Sequence, residues 1–339
     1  MSGNPSESGT IEQGIGRWLS EYYGKPVHLI GLERVTAGAR RINALFDAVD
    51  AQGTVNERLA LTALPNLDIQ IQPMTVEAAV RTLAHEAGVP TPRILGATED
   101  MSYMGGPFFI SERIDGETIP RRVLRLVEQH GIGTRVSEQL GAAFARLHQI
   151  DPALAPKELN RPKVGTVIES ALVGTEAQLR ELLQPSPAFS YGLRWLERNR
   201  PAEPDRQTIV HSDVRNGNLI ISEQGLRAIL DWEGTRIGDP AEDVAWPMVR
   251  MWRFRNDHLP VGGFSAIAPY RAAYEASGGV WDDERVRWWL TLGTLRWGLG
   301  LAKQSHQHLR GEYVTIVMAA SGRRVSELEY DTLMCLKGM

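Results

Sequence analysis

The sequence predicts an α+β protein of two unlike parts: a small antiparallel sheet at the N-terminal end and a larger, mostly helical C-terminal part. Three observations predict it. Between residues 27 and 114 the runs follow in the order strand, strand, strand, helix, strand. Beyond Gly116 apolar residues recur at helical spacing, apart from one short β-prone pair near residue 220. The chain has 339 residues, 42% hydrophobic and 23% charged, enough to bury a real core in one large or two modest domains.

Each element follows from a local pattern. Residues 1–9 are rich in Ser, Gly and Asn and are expected to form a disordered tail. Ile11, Ile15, Trp18, Leu19 and Tyr22 share one face of a helix. Residues 27–36, 44–50 and 55–64 read as strands, with a turn at Ala51-Gln52-Gly53. Residues 75–86 read as a helix, ended by Gly88 and Pro90. Residues 107–114 form a further strand, closed by Asp115-Gly116, which divides an N-terminal unit, 10–114, from a C-terminal unit, 115–339. In the second unit a helix over 136–149 carries Leu140, Phe144, Leu147 and His148. More helices are expected at about 164–183, 189–198 and 243–307.

The densest chemical signal is His211-Ser212-Asp213-Val214-Arg215-Asn216-Gly217-Asn218, which reads H-x-D-x-x-x-x-N. Asp231 follows thirteen residues after Asn218. Residues 219–221 and 226–230 are β-prone, and Ser222 to Gly225 between them has turn composition, so the unit reads as a hairpin. A hairpin sets Asn218 and Asp231 side by side at its open end, as a shared metal requires. One base and two metal ligands on neighbouring segments are what phosphoryl transfer from a nucleotide uses. Asp213 would accept the proton of an attacking hydroxyl, while Asn218 and Asp231 hold Mg²⁺ on the phosphates. His211 is the second catalytic candidate. A lone H-x-D would more often be an ordinary loop bonding its own backbone; four such residues around a hairpin argue against that. Downstream, Asp239, Pro240 and Glu242 have the pattern of a helix start with a capping box. Asp243 is expected either to reach the backbone of the catalytic loop or to have a wholly structural role.

The segment from His211 to Trp246 resembles the aminoglycoside phosphotransferase and choline-kinase-like family, most of all the branch similar to kinase-like domains attached to some acyl-CoA dehydrogenases. The resemblance covers about residues 11 to 310. It implies a protein-kinase-like two-lobed fold, ATP (or GTP) and Mg²⁺ as cofactors, and transfer of the γ-phosphoryl group to a hydroxyl of a small molecule. Ser212 stands where the family has glycine. Laid on the family pattern, Gly38 lies in the turn over the phosphates and Ala60 roofs the adenine. The backbone of Glu112 to Ile114 bonds the purine edge. His148 ends a helix of the large lobe and reads as a packed histidine. One position departs: Thr62 falls where a third-strand Lys or Arg contacts the phosphates and pairs with the helix carboxylate, here Glu77. Arg40, Arg41, Arg58 and Arg81 are candidate substitutes, or the strand register is shifted. Without a partner, Glu77 reads as a solvated helix charge.

The acceptor is least legible. Eight of nine tryptophans lie at or beyond Trp195. Most suit helix packing, and a few could line a cleft. The acidic run Asp282-Asp283-Glu284 reads as surface charge. An apolar or amphipathic hydroxylated acceptor is therefore expected over an aminoglycoside. A net charge of −4 disfavours nucleic acid as a partner. No apolar run reaches membrane-span length, no signal pattern opens the chain, and Cys335 is the one cysteine, so no membrane partner and a cytoplasmic location are expected. The chain lacks the P-loop, H-E-x-x-H, C-x-x-C and G-x-S-x-G patterns. Two other readings are a nucleotide-binding pseudokinase with a regulatory role, motivated by Thr62, and a phosphohydrolase in which water replaces the acceptor.

Overall fold

The computed structural model describes residues 5–35, 41–65, 67–162 and 165–337. Period-two alternation builds the first sheet. Ala44, Phe46 and Ala48 are buried in β2 (Ile42–Val49), and Leu59, Leu61 and Ala63 in β3 (Asn56–Ala63), while the residues between them are half-buried. The buried face packs on Ile11, Ile15, Trp18 and Leu19 of α1 (Pro5–Tyr23). Each such side chain contributes roughly 1.5–3 kcal/mol. Helix α1 starts inside the segment expected to be disordered; residues 1–4 lie outside the described residues. Proline suits a first helical turn, and the apolar stripe beginning at Ile11 holds the remainder on the sheet.

With β1 (His28–Val35), β4 (Ile94–Thr98) and β5 (Phe108–Glu112), the sheet is antiparallel in the order β1-β2-β3-β5-β4. Strand β4 was not expected. Only Leu95 of its five residues is buried, so it has no alternation to read, and it forms because β5 offers it an edge. On the open face, Ala60 and Thr62 point the same way. Thr62 pairs with Asn43 on one side and Phe109 on the other. Helix α2 (Met74–Glu86) leans on β4 and β5, where Met74 and Ala78 join Leu64 and Phe109.

The second part is built from α3 (Pro120–His130), α4 (Gly133–Gln149), α5 (Val167–Arg180), α6 (Pro187–Arg198), α7 (Pro240–Ala245), α8 (Ile267–Ala276), α9 (Asp283–Leu309), α10 (Ile316–Ser321) and α11 (Val325–Lys337). Val136, Leu140, Phe144 and Leu147 bury one face of α4 at helical spacing, and Phe144 meets Tyr270 of α8 edge-on at 6.4 Å. The stretch expected to be helical from 243 to 307 is instead α7, two short 3₁₀ turns, α8 and α9. Pro247 lies in one of those turns, Gly262 and Gly263 precede α8, and Gly278 follows it; all three glycines have positive φ. Trp232, Trp252, Trp288 and Trp289 are buried in this core. Among the described residues no helix is long and apolar enough to cross a membrane.

Two small sheets carry the loops between the parts. The expected hairpin forms from β7 (Leu219–Ser222) and β8 (Gly225–Ile229), with Leu219 opposite Ile229. An unexpected pair joins β6 (Thr208–Val210) to β9 (Arg236–Gly238). The linker after β5 is fixed to β7, because Glu117 and Ile221 exchange both backbone hydrogen bonds, at 2.8 and 3.0 Å. Gly116 is required there: a Cβ would lie 2.4 Å from Ile220 Cγ2 and 2.9 Å from the Ile221 carbonyl oxygen.

Candidate active site

Strand β6 ends at Val210, and the loop that begins with His211 turns sharply at Ser212. His211 is fully buried. Its Nε2 lies 3.0 Å from the Leu230 carbonyl, and its Nδ1 accepts the Asp213 N–H at 3.2 Å. With both ring nitrogens engaged by backbone, His211 has the geometry of a scaffold residue, not of a group that meets substrate. Ser212 has φ of 71°. This left-handed turn gives a physical reason for glycine at the position. The Ser212 hydroxyl donates to the Gly234 carbonyl at 2.9 Å. Asp243 clasps the turn: its two oxygens accept the His211 N–H at 2.7 Å and the Ser212 N–H at 2.6 Å. His148, itself 3.0 Å from the Tyr274 hydroxyl, completes the clasp at 3.2 Å. Burial alone would raise the Asp243 carboxyl, but the His148 hydrogen bond, the two histidines and the Ser212 N–H hold it below the usual range. Asp239 caps α7 as expected, accepting the Ala241 N–H at 3.0 Å. Glu242 does not complete a capping box; it pairs with Arg236 and, at 3.5 Å, with Arg296, two cations that only the tertiary fold brings near it.

Asp213, Asn218 and Asp231 come together as the motif spacing requires. Asp213 Oδ1 accepts from Trp246 Nε1 at 3.0 Å and from Arg215 Nε at 3.3 Å. Its Oδ2 accepts from Asn218 Nδ2 at 2.9 Å. Burial pushes the Asp213 carboxyl up; Arg215 opposes this and Asp231 adds to it. The Leu230 N–H bonds the Asn218 carbonyl at 2.8 Å, which closes the hairpin and sets Asp231 beside Asn218. Asp231 is itself left-handed, at φ 64° and ψ 63°. Its carboxylate accepts no hydrogen bond among the described residues. Asn218 uses its amide nitrogen on Asp213, which leaves Oδ1 available.

Across the cleft, Ala60 is half-buried on the open face of β3. The Glu112 N–H is already engaged by the Arg93 carbonyl at 2.9 Å, so of its backbone groups only the carbonyl is left for a ligand. Ile114 makes no backbone hydrogen bond among the described residues. Gly38 lies outside the described residues. Thr62 lies on the third strand between Asn43 and Phe109, and its hydroxyl bonds Asn43 Oδ1 at 3.1 Å.

Glu77 is not a solvated charge. It is 1% exposed and takes a two-pronged ion pair from Arg41, at 3.1 and 2.8 Å. Arg41 Nε also lies 3.1 Å from Glu233, which joins the sheet to the segment after Asp231. Burial works against the Arg41 charge, but Glu77, Glu233 and Asp231 hold its pKa above the usual arginine value. Arg81, one turn beyond Glu77, stacks 4.7 Å over the Phe109 ring. Burial pushes it down to about 10, so it remains a cation at neutral pH. Arg58 is elsewhere, bound to Asp115 at 2.6 and 2.8 Å. Trp246 and Arg215 at the base were not singled out by sequence; Trp246 lies three residues after Asp243, but nothing local separates it from the core tryptophans.

A small five-stranded antiparallel sheet followed by a larger, mostly helical part is a protein-kinase-like fold. Residues 65–289 match the profile of the phosphotransferase enzyme family, and the chain belongs to that family. It is 26% identical over 264 residues to acyl-CoA dehydrogenase family member 10 of Mus musculus, covering 72% of this chain and 24% of that protein. It is 23% identical to acyl-CoA dehydrogenase family member 11 of Gallus gallus, covering 79% and 34%. The chain thus spans about a quarter to a third of the length of these relatives. A putative aminoglycoside phosphotransferase from Ralstonia eutropha JMP134 has a similar structure, with a TM-score of 0.73, 21% identity, and coverage of 96% and 98%. A thermostable mutant of aminoglycoside phosphotransferase APH(4)-Ia, in ternary complex with ADP and hygromycin B, superposes with a TM-score of 0.62 at 18% identity, covering 94% and 98%. At such identities the likeness shows the fold.

Proposed function

We propose that the protein is a small-molecule kinase that moves the γ-phosphoryl group of ATP or GTP to a hydroxyl, with Asp213 as base and Asn218 and Asp231 as Mg²⁺ ligands. The observation that carries this is the convergence of these three side chains opposite an intact ion pair between Glu77 and Arg41. The donor set suits a hard cation. One carboxylate and one amide oxygen, with no third acidic or histidine ligand among the described residues, match Mg²⁺, which keeps waters and phosphate oxygens in its shell. When bound, the ion neutralises charge on the transferring phosphates.

Asp213 is held by Trp246, Arg215 and Asn218, so its carboxylate is oriented before an acceptor arrives. The acceptor hydroxyl gives its proton to Asp213 as its oxygen bonds the γ-phosphorus, and the bond from that phosphorus to the β-phosphate oxygen breaks to release ADP or GDP. The Ala60 face and the backbone of Glu112 and Ile114 receive the base; nucleotide use is supported by the similar phosphotransferase, whose structure is a ternary complex with ADP. Beside Asp213, the Arg215 guanidinium lies 5.2 and 5.9 Å from the Trp252 and Trp297 rings. Trp246 and Trp297 are half-buried beside it, and these two rings favour an acceptor with an apolar or amphipathic body. The Glu77 ion pair disfavours the pseudokinase reading. The enzyme is read as cytoplasmic. The test is nucleotide turnover with Mg²⁺ over a panel of hydroxylated small molecules. Acceptor-dependent ADP or GDP formation, with phosphate recovered on the acceptor, supports the reading. Nucleotide consumption that ignores every acceptor makes it a phosphohydrolase.

A further inference from the structure

In kinase-like sites one third-strand cation does two jobs: it pairs with the helix carboxylate and it contacts the phosphates. Thr62 can do neither. We propose that this chain divides the jobs between two arginines from other elements, with Arg41 holding Glu77 and Arg81 meeting the nucleotide phosphates. This rests on the phosphotransferase reading above.

Arg41, at the edge of β2, grips both Glu77 oxygens and sets its third side against Glu233. Both of its terminal nitrogens bond Glu77, and its Nε is ion-paired with Glu233 without a well-aligned hydrogen bond. Arg81 differs. It projects from α2 one turn after Glu77, is 4% exposed, and lies over Phe109. Phe109 is the cross-strand neighbour of Thr62, so Arg81 stands beside the place from which a third-strand cation would project. It makes no hydrogen bond among the described residues, and its Nε is buried without a partner. The ring fixes the guanidinium plane but leaves the N–H edge unused. A buried cation with unpaired donors is unfavourable, and phosphate oxygens would satisfy it with charge-assisted bonds. Arg81 lies within electrostatic reach of Glu77 and Arg41 and, more weakly, of Asp231, so the guanidinium faces towards the candidate metal ligands from the sheet side. The small side chain at Thr62 is then a requirement: a lysine there would set a second cation against Arg81.

The test compares calorimetric affinities for ATP and for adenosine. Arg81→Met is expected to weaken ATP binding by roughly ten- to hundredfold, the worth of a charge-assisted contact, and to leave adenosine affinity and the thermal midpoint unchanged. Adding Thr62→Lys to Arg81→Met should recover most of the loss. Arg41→Met should lower the thermal midpoint, because it leaves Glu77 buried and unpaired. Equal losses for ATP and adenosine, or ATP affinity unchanged in Arg81→Met, overturn the proposal. If Arg81→Met does not fold, the parent chain decides: the Arg81 Nε–H resonance should shift on adding ATP but not adenosine, and an unmoved signal overturns it. A parent chain that binds no nucleotide sinks the phosphotransferase reading as well, whereas one that binds ATP without involving Arg81 sinks this inference alone.

Discussion

Asp213 carries its charge in a setting that resists it. Burial and Asp231 raise its carboxyl, and Arg215 is the largest opposing influence. A base acts when deprotonated, so kcat/KM is expected to rise with pH along a limb lying above the ordinary carboxylate value of about 3.9. Arg215→Met removes a lowering influence and should move that limb to higher pH; pH–rate profiles of the two proteins check the sign. Asp213→Asn should remove most turnover and keep nucleotide affinity within a few-fold. Ser212 offers a second test. Its left-handed backbone carries strain of about 1 kcal/mol that glycine would not. Ser212→Ala keeps the strain and loses the bond to Gly234, whereas Ser212→Gly loses the bond and relieves the strain. The glycine variant is therefore expected to be more stable than the alanine variant by about 1 kcal/mol in denaturant melts.

At the scale of elements, Asp243 is the pin between α7 and the catalytic loop. Asp243→Ala strands two buried backbone N–H groups and His148, and should cost about 3–5 kcal/mol, read by urea unfolding. Its folded pKa is lowered, so its contribution is present above the unfolded value of about 3.9 and is lost as pH falls through the folded value. Asp243→Asn should accordingly flatten the acid side of the stability curve. The linker is the other exposed dependency. Gly116→Ala drives a methyl into Ile220 and the Ile221 carbonyl, and should reduce both stability and turnover by displacing β7 and, with it, Asn218.

For the whole molecule, the polar contacts between the two parts include Arg41 with Glu233, Gln72 with the Trp232 carbonyl at 3.4 Å, the Ile229 N–H with the Pro90 carbonyl at 2.8 Å and Arg146 with the Gly88 carbonyl at 3.2 Å. The first two land next to Asp231. Nucleotide with Mg²⁺ should therefore stabilise the entire chain by linkage, about 2.7 kcal/mol at a hundredfold excess over Kd. Asp231→Ala should abolish the Mg²⁺-dependent part of the thermal shift, because it removes the one charged ligand of the pair. An unchanged Mg²⁺ titration in that variant would remove Asp231 from the metal site.

What the sequence determined by itself was local. The H-x-D-x-x-x-x-N loop, the hairpin that follows it and the faces of β2 and β3 depend on spacings of two to thirteen residues, which a period or a turn expresses directly. That Thr62 lies on the third strand and shares a face with Ala60 was legible for the same reason. Tertiary structure decided everything that joins distant segments. Arg41 and Glu77 are 36 residues apart, and His211 and Asp243 are 32 apart. Among four candidate arginines, nothing in the chain's order distinguished the one tied to Asp115 from the one gripping Glu77 or the one buried over Phe109. Strand β4 and the β6–β9 pair exist because a neighbour supplies backbone partners. His211 lost its candidacy as a catalyst because folding buried it against Leu230 and Trp232. Side-chain partners are fixed by which surfaces the core brings together, and spacing along the chain carries no record of that choice.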